Sequence, residues 1–208
     1  MTWVTIEGIN GAGKTHLAGK AAARLGCRLI GELTDADNQQ LPGKVITALA
    51  AEGSFLQTGN PVTETLALLA LKTREYERAG DASLVLEDRG VDTVAVYQSL
   101  ILEGVGARSQ TVLATASRIY RTALRSRPAP ARSLLMVDDT AACIARYEQR
   151  IGCPISAPDR SLVQAAAEIY PEWAALEPAR WVIVDRRGRE EDAVLAELCG
   201  RIQEVAAP

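Results

Sequence analysis

The chain has one histidine, His16, and four cysteines, Cys27, Cys143, Cys153 and Cys199, with no Cys-x-x-Cys spacing. The residue sets that build a protein-held zinc site are missing, and reduced thiols are expected. No run of about 18 apolar residues is present. Met1-Thr2-Trp3-Val4-Thr5-Ile6 carries no basic stretch leading into an apolar core and cleavage site. A cytoplasmic location with no membrane partner is the expectation. A surplus of positive charge is also absent: 23 Lys and Arg stand against 26 Asp and Glu, for a net charge of −3. That balance argues for no nucleic-acid partner, because a phosphate backbone is normally met by a net basic surface.

What is present suits one α/β domain spanning residues 1–208, since 208 residues with 48% hydrophobic content can bury one substantial core. Apolar runs alternate with helical patterns. Strands are expected at Trp3 to Glu7, Arg28 to Ile30, Ser83 to Glu87, Ser133 to Val137 and Trp181 to Val184. Helices are expected at about Lys14 to Leu25, Leu41 to Ala51, Val62 to Ala79, Val91 to Glu103, Gln110 to Arg125, Thr140 to Gln149, Ser161 to Leu176 and Glu190 to Val205. Strands joined by helices build a parallel sheet covered on both faces, so a three-layer α/β/α sandwich with five parallel strands follows.

Gly8-Ile9-Asn10-Gly11-Ala12-Gly13-Lys14-Thr15 fits Gly-x-x-x-x-Gly-Lys-Ser/Thr, between an expected strand and an expected helix. Glycines at 8, 11 and 13 let the backbone curl with its N–H groups inward, toward the phosphate that the positive helix end also attracts. Lys14 adds a mobile charge for the β and γ phosphates, and the Thr15 hydroxyl is placed to ligate Mg2+. Asn10, Ala12 and His16 share the nucleotide-binding segment, with His16 read as a helix residue beside the loop. A nucleoside triphosphate, ATP, bound with magnesium is the reading; a glycine-rich turn without a ligand is the alternative.

The third strand ends in Glu87-Asp88-Arg89-Gly90, at the carboxyl edge of the sheet where open α/β folds bind ligands. A carboxylate there can hold a magnesium-bound water or orient the attacking oxygen, and an arginine can grip an acceptor phosphate. The other reading is a strand-end acid that caps the next helix, with Arg89 as its surface partner.

Asp88-Arg89-Gly90-Val91-Asp92-Thr93-Val94-Ala95-Val96-Tyr97-Gln98 resembles the Asp-Arg-x-x-x-Ser-x-x-Ala-Tyr-Gln segment of thymidylate kinases, nucleoside monophosphate kinases of the P-loop class. Glu7 to Thr15 resembles that family's opening strand and phosphate loop. Leu69-Ala70-Leu71-Lys72-Thr73-Arg74 is similar to the helix whose arginine contacts the acceptor base, and Trp181 to Asp185 to the last strand. The resemblance implies that Asp88 assists transfer and meets the metal, Arg89 binds the acceptor phosphate, Arg74 reaches the base, and Tyr97 lines the sugar beside Gln98. Thr93 stands at the family's serine position on the same acceptor side.

Several positions depart from the family pattern. Ala70 replaces the phenylalanine that stacks on the base, removing an aromatic contact of about 1 kcal/mol. Asn10 stands where the family tends to place an acid, Glu32-Leu33-Thr34-Asp35 replaces Glu-Pro-Gly-Gly-Thr, and Gly90 replaces an aromatic residue. These changes fall on the acceptor side and are read as enlarging or repolarising it, with the donor motif intact.

Ala12 also stands where some thymidylate kinases carry an arginine, so a cation for the transferring phosphate must come from elsewhere. The segment 147–160, with Gly152, Pro154 and Pro158 between two helices, resembles the family's small helical lid. Closure would bring Arg146, Arg150 or Arg160 to the phosphates; as helix-end residues they are equally read as solvated charges. Arg118, Arg121, Arg125 and Arg127 read as a solvated helix face or a subunit contact.

The reading is an ATP- and magnesium-dependent nucleoside monophosphate kinase with a small-molecule nucleotide acceptor. The resemblance also implies a homodimer. A P-loop kinase acting on a nucleoside or small metabolite without a phosphate, and a nucleotide-binding sensor that has lost transfer, remain open at this point.

Overall fold

A computed structural model describes residues 1–31, 43–52 and 59–206. The elements run β1 (Thr2–Glu7), α1 (Lys14–Leu25), β2 (Arg28–Ile30), α2 (Gly43–Glu52), α3 (Pro61–Glu77), β3 (Leu84–Asp88), α4 (Val91–Glu103), α5 (Ser109–Ala123), β4 (Arg132–Val137), α6 (Thr140–Ile151), α7 (Ala157–Ala175), β5 (Trp181–Asp185) and α8 (Glu191–Ala206). The strands form one all-parallel sheet in the order β2-β3-β1-β4-β5. Helices α1 and α8 pack together, as do α3, α4, α5 and α7, giving the expected three layers. Among the described residues no helix is long and apolar enough to cross a membrane.

Burial follows position in the sheet. Trp3 to Glu7 of the central strand β1 are all buried, as a strand covered on both faces requires. The edge strands β2 and β5 leave Leu29 and Ile183 exposed. The main core joins Val4, Ile6, Leu86 and Leu134 of the strands to Leu17, Ala18 and Ala21 of α1 and Val94, Leu100, Leu162 and Leu198 of other helices.

Boundaries differ from expectation where caps decide them. Helix α7 starts at Ala157, four residues early, because Ser156 accepts the Asp159 N–H at 3.2 Å while Pro158 occupies the first turn. Helix α6 runs on to Ile151 and stops at Gly152, which takes φ 76° and returns its N–H to the Glu148 carbonyl. The irregular stretch between these two helices is therefore only 152–156. Leu41 and the segment Glu32-Leu33-Thr34-Asp35 lie outside the described residues.

One expectation is corrected. Arg118, Arg121 and Arg125 are exposed, but Arg127 is buried to 4% exposure. It follows the end of α5 and turns inward, donating to Glu87 through Nη1 at 3.2 Å and Nη2 at 2.9 Å and stacking over Trp3. Glu87 also accepts from Trp3 Nε1 at 2.6 Å and pairs with Lys72 at 3.0 Å. Burial alone would push the Glu87 carboxyl up, but Lys72 and Arg127 hold it down at about 2. A single buried acid thus fixes α3, the segment after α5, and two strands.

Candidate functional site at the phosphate loop

The loop joining β1 to α1 sits at the carboxyl edge of the sheet. It is flanked on one side by the end of β3 and on the other by the ends of β4 and β5. Its curl needs glycine: Gly11 and Gly13 take φ 78° and 88°, and a Cβ on Gly11 would collide with the Cys143 carbonyl of α6. Gly13 is the N-cap of α1 and offers no side-chain cap there, so the positive end of α1 is turned to the loop. Lys14 is buried and donates to the Ile9 carbonyl at 2.7 Å.

Strand alternation separates the two neighbouring acids of β3. Glu87 faces the Trp3, Lys72 and Arg127 cluster and takes no part in the site. Asp88 faces the other way, is 1% exposed, and neither of its carboxylate oxygens has a hydrogen-bond partner among the described residues. A buried unpaired carboxylate is costly unless a ligand completes it.

Arg89 follows in the left-handed region, with φ 65°, a conformation that non-glycine residues adopt only when their surroundings enforce it. Two bonds do so: the Arg89 N–H donates to the Ile6 carbonyl at 3.1 Å and the Gly90 N–H to Glu7 Oε1 at 2.9 Å. The turn sends the Arg89 guanidinium back over the phosphate loop, where Nη2 donates to Asn10 Oδ1 at 2.9 Å and Nη1 reaches the Gly8 carbonyl at 3.4 Å. Tyr97 Oη donates to the same Asn10 oxygen at 3.1 Å, and burial pushes the Tyr97 hydroxyl up. Arg89 is buried, so it is no surface partner of a capping acid.

Glu7 was not singled out from the sequence. Its signal there is an acid inside an apolar central strand. It is fully buried and joins the Gly90 N–H to the Thr93 hydroxyl, 2.5 Å from its Oε2, and through Thr93 to Tyr170 Oη at 2.8 Å. Burial pushes the Glu7 carboxyl up to about 8, and Asp92 and Glu87 add to this against the hydrogen bonds from Thr93 and Gly90. The same packing explains Gly90: a Cβ there would lie 2.6 Å from Thr5 Cγ2 and 2.9 Å from Glu7 Oε1. Gly90 therefore faces β1, and the expectation that it enlarges the acceptor side does not hold.

A cavity of about 170 Å³ opens over the loop, lined by Gly11, Gly13, Lys14, Thr15, His16 and Arg89 together with Arg146, Tyr147, Arg150 and Arg186. Arg146 comes from α6, donating from Nε to the Gly11 carbonyl at 2.9 Å and from Nη2 to Asp138 at 2.5 Å. Arg150 stacks over Tyr147, 5.2 Å from its ring centroid. Arg186, another residue the sequence reading missed, donates from Nη1 to the Ala12 carbonyl at 3.2 Å. Its signal was position, an arginine directly after β5 at the ligand-binding edge of the sheet.

Other predicted residues, His16 excepted, are not among those lining this cavity. Arg160 bonds Glu148 at 2.5 Å and ties α7 to α6. Thr93 is committed to Glu7 and Tyr170, and Gln98 accepts from Thr65 at 2.9 Å between α4 and α3. Ala70 is exposed and Arg74 half-buried on α3. His16 lines the cavity and also meets Glu191 at 2.9 Å, linking α1 to α8.

The residues present fit magnesium. Asp88 offers two unpartnered oxygens and Thr15 an exposed hydroxyl, the hard oxygen ligands that ion prefers. Among the described residues no group of three or more His, Cys, Asp or Glu could hold a metal alone, so phosphate and water oxygens would complete the coordination.

No protein-family model matches the chain, and no curated protein sequence matches it. Among solved structures it is similar to thymidylate kinase from Ehrlichia chaffeensis, with 16% identity and a TM-score of 0.65 over 97% of this chain and 98% of that one. It is also similar to deoxyadenosine kinase from M. mycoides with bound dATP, with 11% identity and a TM-score of 0.69 over 97% and 100% of the two chains. The same enzyme with bound dCTP gives 10% and 0.67, over 98% and 100%. The chain therefore has the α/β P-loop kinase fold of these structures, with its five-stranded parallel sheet and eight described helices.

Proposed function

We propose that the chain is a phosphotransferase that moves the γ-phosphate of magnesium-bound ATP to a (deoxy)nucleoside monophosphate, as thymidylate kinases do. The observation that carries this reading is the composition of one cavity, where Lys14, Arg89, Arg146, Arg150 and Arg186 meet over a phosphate loop. A ligand bringing several negative charges suits such a group of cations, and a triphosphate donor beside a phosphorylated acceptor is one.

An acceptor phosphate oxygen would attack the γ-phosphorus while the bond to the bridging oxygen of ADP breaks, leaving no proton to transfer at the attacking atom. Lys14 and the arginines would hold and neutralise the phosphate oxygens, and in-line placement would supply most of the acceleration. Thr15 and Asp88 would hold magnesium, which neutralises charge on the β and γ phosphates. Arg89, positioned over the loop by Asn10 and Gly8, would offer its fork to the acceptor.

A kinase that phosphorylates a nucleoside is the second reading, favoured by the engagement of Arg89 with Asn10 Oδ1 and by the likeness to a deoxyadenosine kinase. A cytoplasmic setting, where magnesium, ATP and reduced thiols coexist, and a homodimer belong to the main reading.

The test is ADP release from magnesium ATP with a panel of nucleoside monophosphates and the matching nucleosides, with Lys14→Ala and Arg89→Ala alongside. Turnover of monophosphates only, lost in both variants, is expected. Turnover of nucleosides alone would establish the second reading, and no turnover of either class would overturn both.

A further inference from the structure

Arg186 lies just beyond Asp185, the last residue of β5, and its guanidinium reaches the rim of the phosphate loop. One donor, Nη1, bonds the Ala12 carbonyl at 3.2 Å. Its Nε stands 3.9 Å from Asp138 Oδ2, an ion pair without a hydrogen bond. The remaining donors of the fork have no hydrogen-bond partner among the described residues.

Arg146 differs in this respect, being bonded to Gly11, Asp138 and Cys143. Asp138 is shared by two guanidinium groups, Arg146 at 2.5 Å and Arg186 at 3.9 Å. That ratio leaves positive charge in excess on this side of the cavity.

The position of the excess matters. A Cβ on Gly13 would collide with Arg186 Nη1, so the guanidinium lies directly against the N-cap of α1. The first N–H groups and the dipole of α1 make that point positive already. Two positive features brought together in a partly desolvated place repel unless an anion sits between them.

We propose that Arg186 contacts the polyphosphate tail of the donor nucleotide, supplying from the exit of β5 the cation that the loop lacks at Ala12. The proposal rests on the kinase reading. Anchored by Ala12 and Asp138, the guanidinium is preorganised and needs no lid closure to reach the phosphates. It faces Arg89 across the loop, so that donor and acceptor phosphates meet one arginine from each flank.

The test is calorimetric binding of magnesium ATP, inorganic tripolyphosphate and AMP to the full chain and to Arg186→Ala and Arg186→Lys, with Lys14→Ala as a reference. ATP and tripolyphosphate are expected to bind Arg186→Ala about 10- to 100-fold more weakly, the loss of one charge-assisted contact, with AMP unchanged. Arg186→Lys should recover part of the affinity as a point charge. Unchanged ATP affinity in both variants, or equal weakening of all three ligands, would overturn the proposal and leave the kinase reading standing. If the unsubstituted chain binds neither ATP nor tripolyphosphate, the kinase reading falls and this proposal with it. Should Arg186→Ala fail to fold, the ATP-to-AMP comparison in Arg186→Lys decides in the same way, with a selective loss for ATP expected.

Discussion

Arg127 and Glu87 meet through both ends of the guanidinium and both carboxylate oxygens, at 3.2 and 2.9 Å, in a place where the two side chains are 1% and 0% exposed. This pair, with Lys72 and Trp3, holds α3 and the segment entering β4 against the sheet. Arg127→Ala would leave Glu87 buried with only part of its compensation. Breaking such a pair is expected to lower unfolding free energy by about 3–5 kcal/mol. Denaturant titration checks this: the midpoint should fall with little change in slope, and a loss well under 1 kcal/mol would mean that Lys72 alone suffices.

Glu7 makes stability depend on pH in the opposite sense from most carboxylates. Its folded-state value is raised to about 8 from an ordinary 4.5, so between those values the folded chain holds a proton that the unfolded chain has released. Stability from this group is complete below about pH 4.5 and is lost as pH rises through about 8, with a slope of at most about 1.4 kcal/mol per pH unit. Glu7→Gln imitates the protonated form and still accepts from the Gly90 N–H. Stability curves of the two proteins should converge at low pH and separate toward pH 8, with the variant the flatter; parallel curves would remove Glu7 as the cause.

These two acids mark what the sequence could and could not tell. The strands, the helices and the phosphate loop were legible because they rest on local pattern: apolar runs, helical periodicity, and glycines at fixed spacing. Glu87 and Asp88 are adjacent, and only their alternation across the sheet separates the one bound into the Trp3, Lys72 and Arg127 cluster from the one turned away from it. Arg127 reads as the last charge of a basic helix face, yet it lies beyond the helix end and turns inward to an acid forty residues away. Arg186 and Arg89 come together only because β3 and β5 flank β1 and β4 in the sheet, a relation set by crossovers and not by neighbours in the chain. Gly90 looked like a lost side chain on the acceptor side, and packing against Thr5 and Glu7 shows that none fits.

Asp88 should behave as a residue kept for function at a cost to stability. Its two oxygens are buried without hydrogen-bond partners among the described residues, so Asp88→Asn removes a carboxylate whose burial is not offset by such bonds. The variant is expected to be as stable as the parent or more so, while phosphoryl transfer falls by about 100-fold or more, the scale seen when electrostatic groups at a reacting centre are removed. Thermal unfolding and ADP release measured on the same preparation separate the two effects. A variant that loses stability and activity together would show Asp88 to be structural.

Arg150 and Arg160 can be ranked by what already holds them. Arg160 is paired with Glu148, which also accepts the Ile155 N–H at 3.1 Å, so this contact closes the short 152–156 connection between α6 and α7. Arg150 lines the cavity and touches the ring of Tyr147 on its own helix. A partly exposed pair of the Arg160 kind contributes about 0–1 kcal/mol, whereas a charge that reaches the transferring phosphate supplies about 3 kcal/mol or more to the transition state. Arg150→Ala is therefore expected to lower kcat by at least about tenfold more than Arg160→Ala does, with KM for ATP moving less than kcat. The reverse ranking would mean that transfer depends on the Arg160–Glu148 pair and not on Arg150.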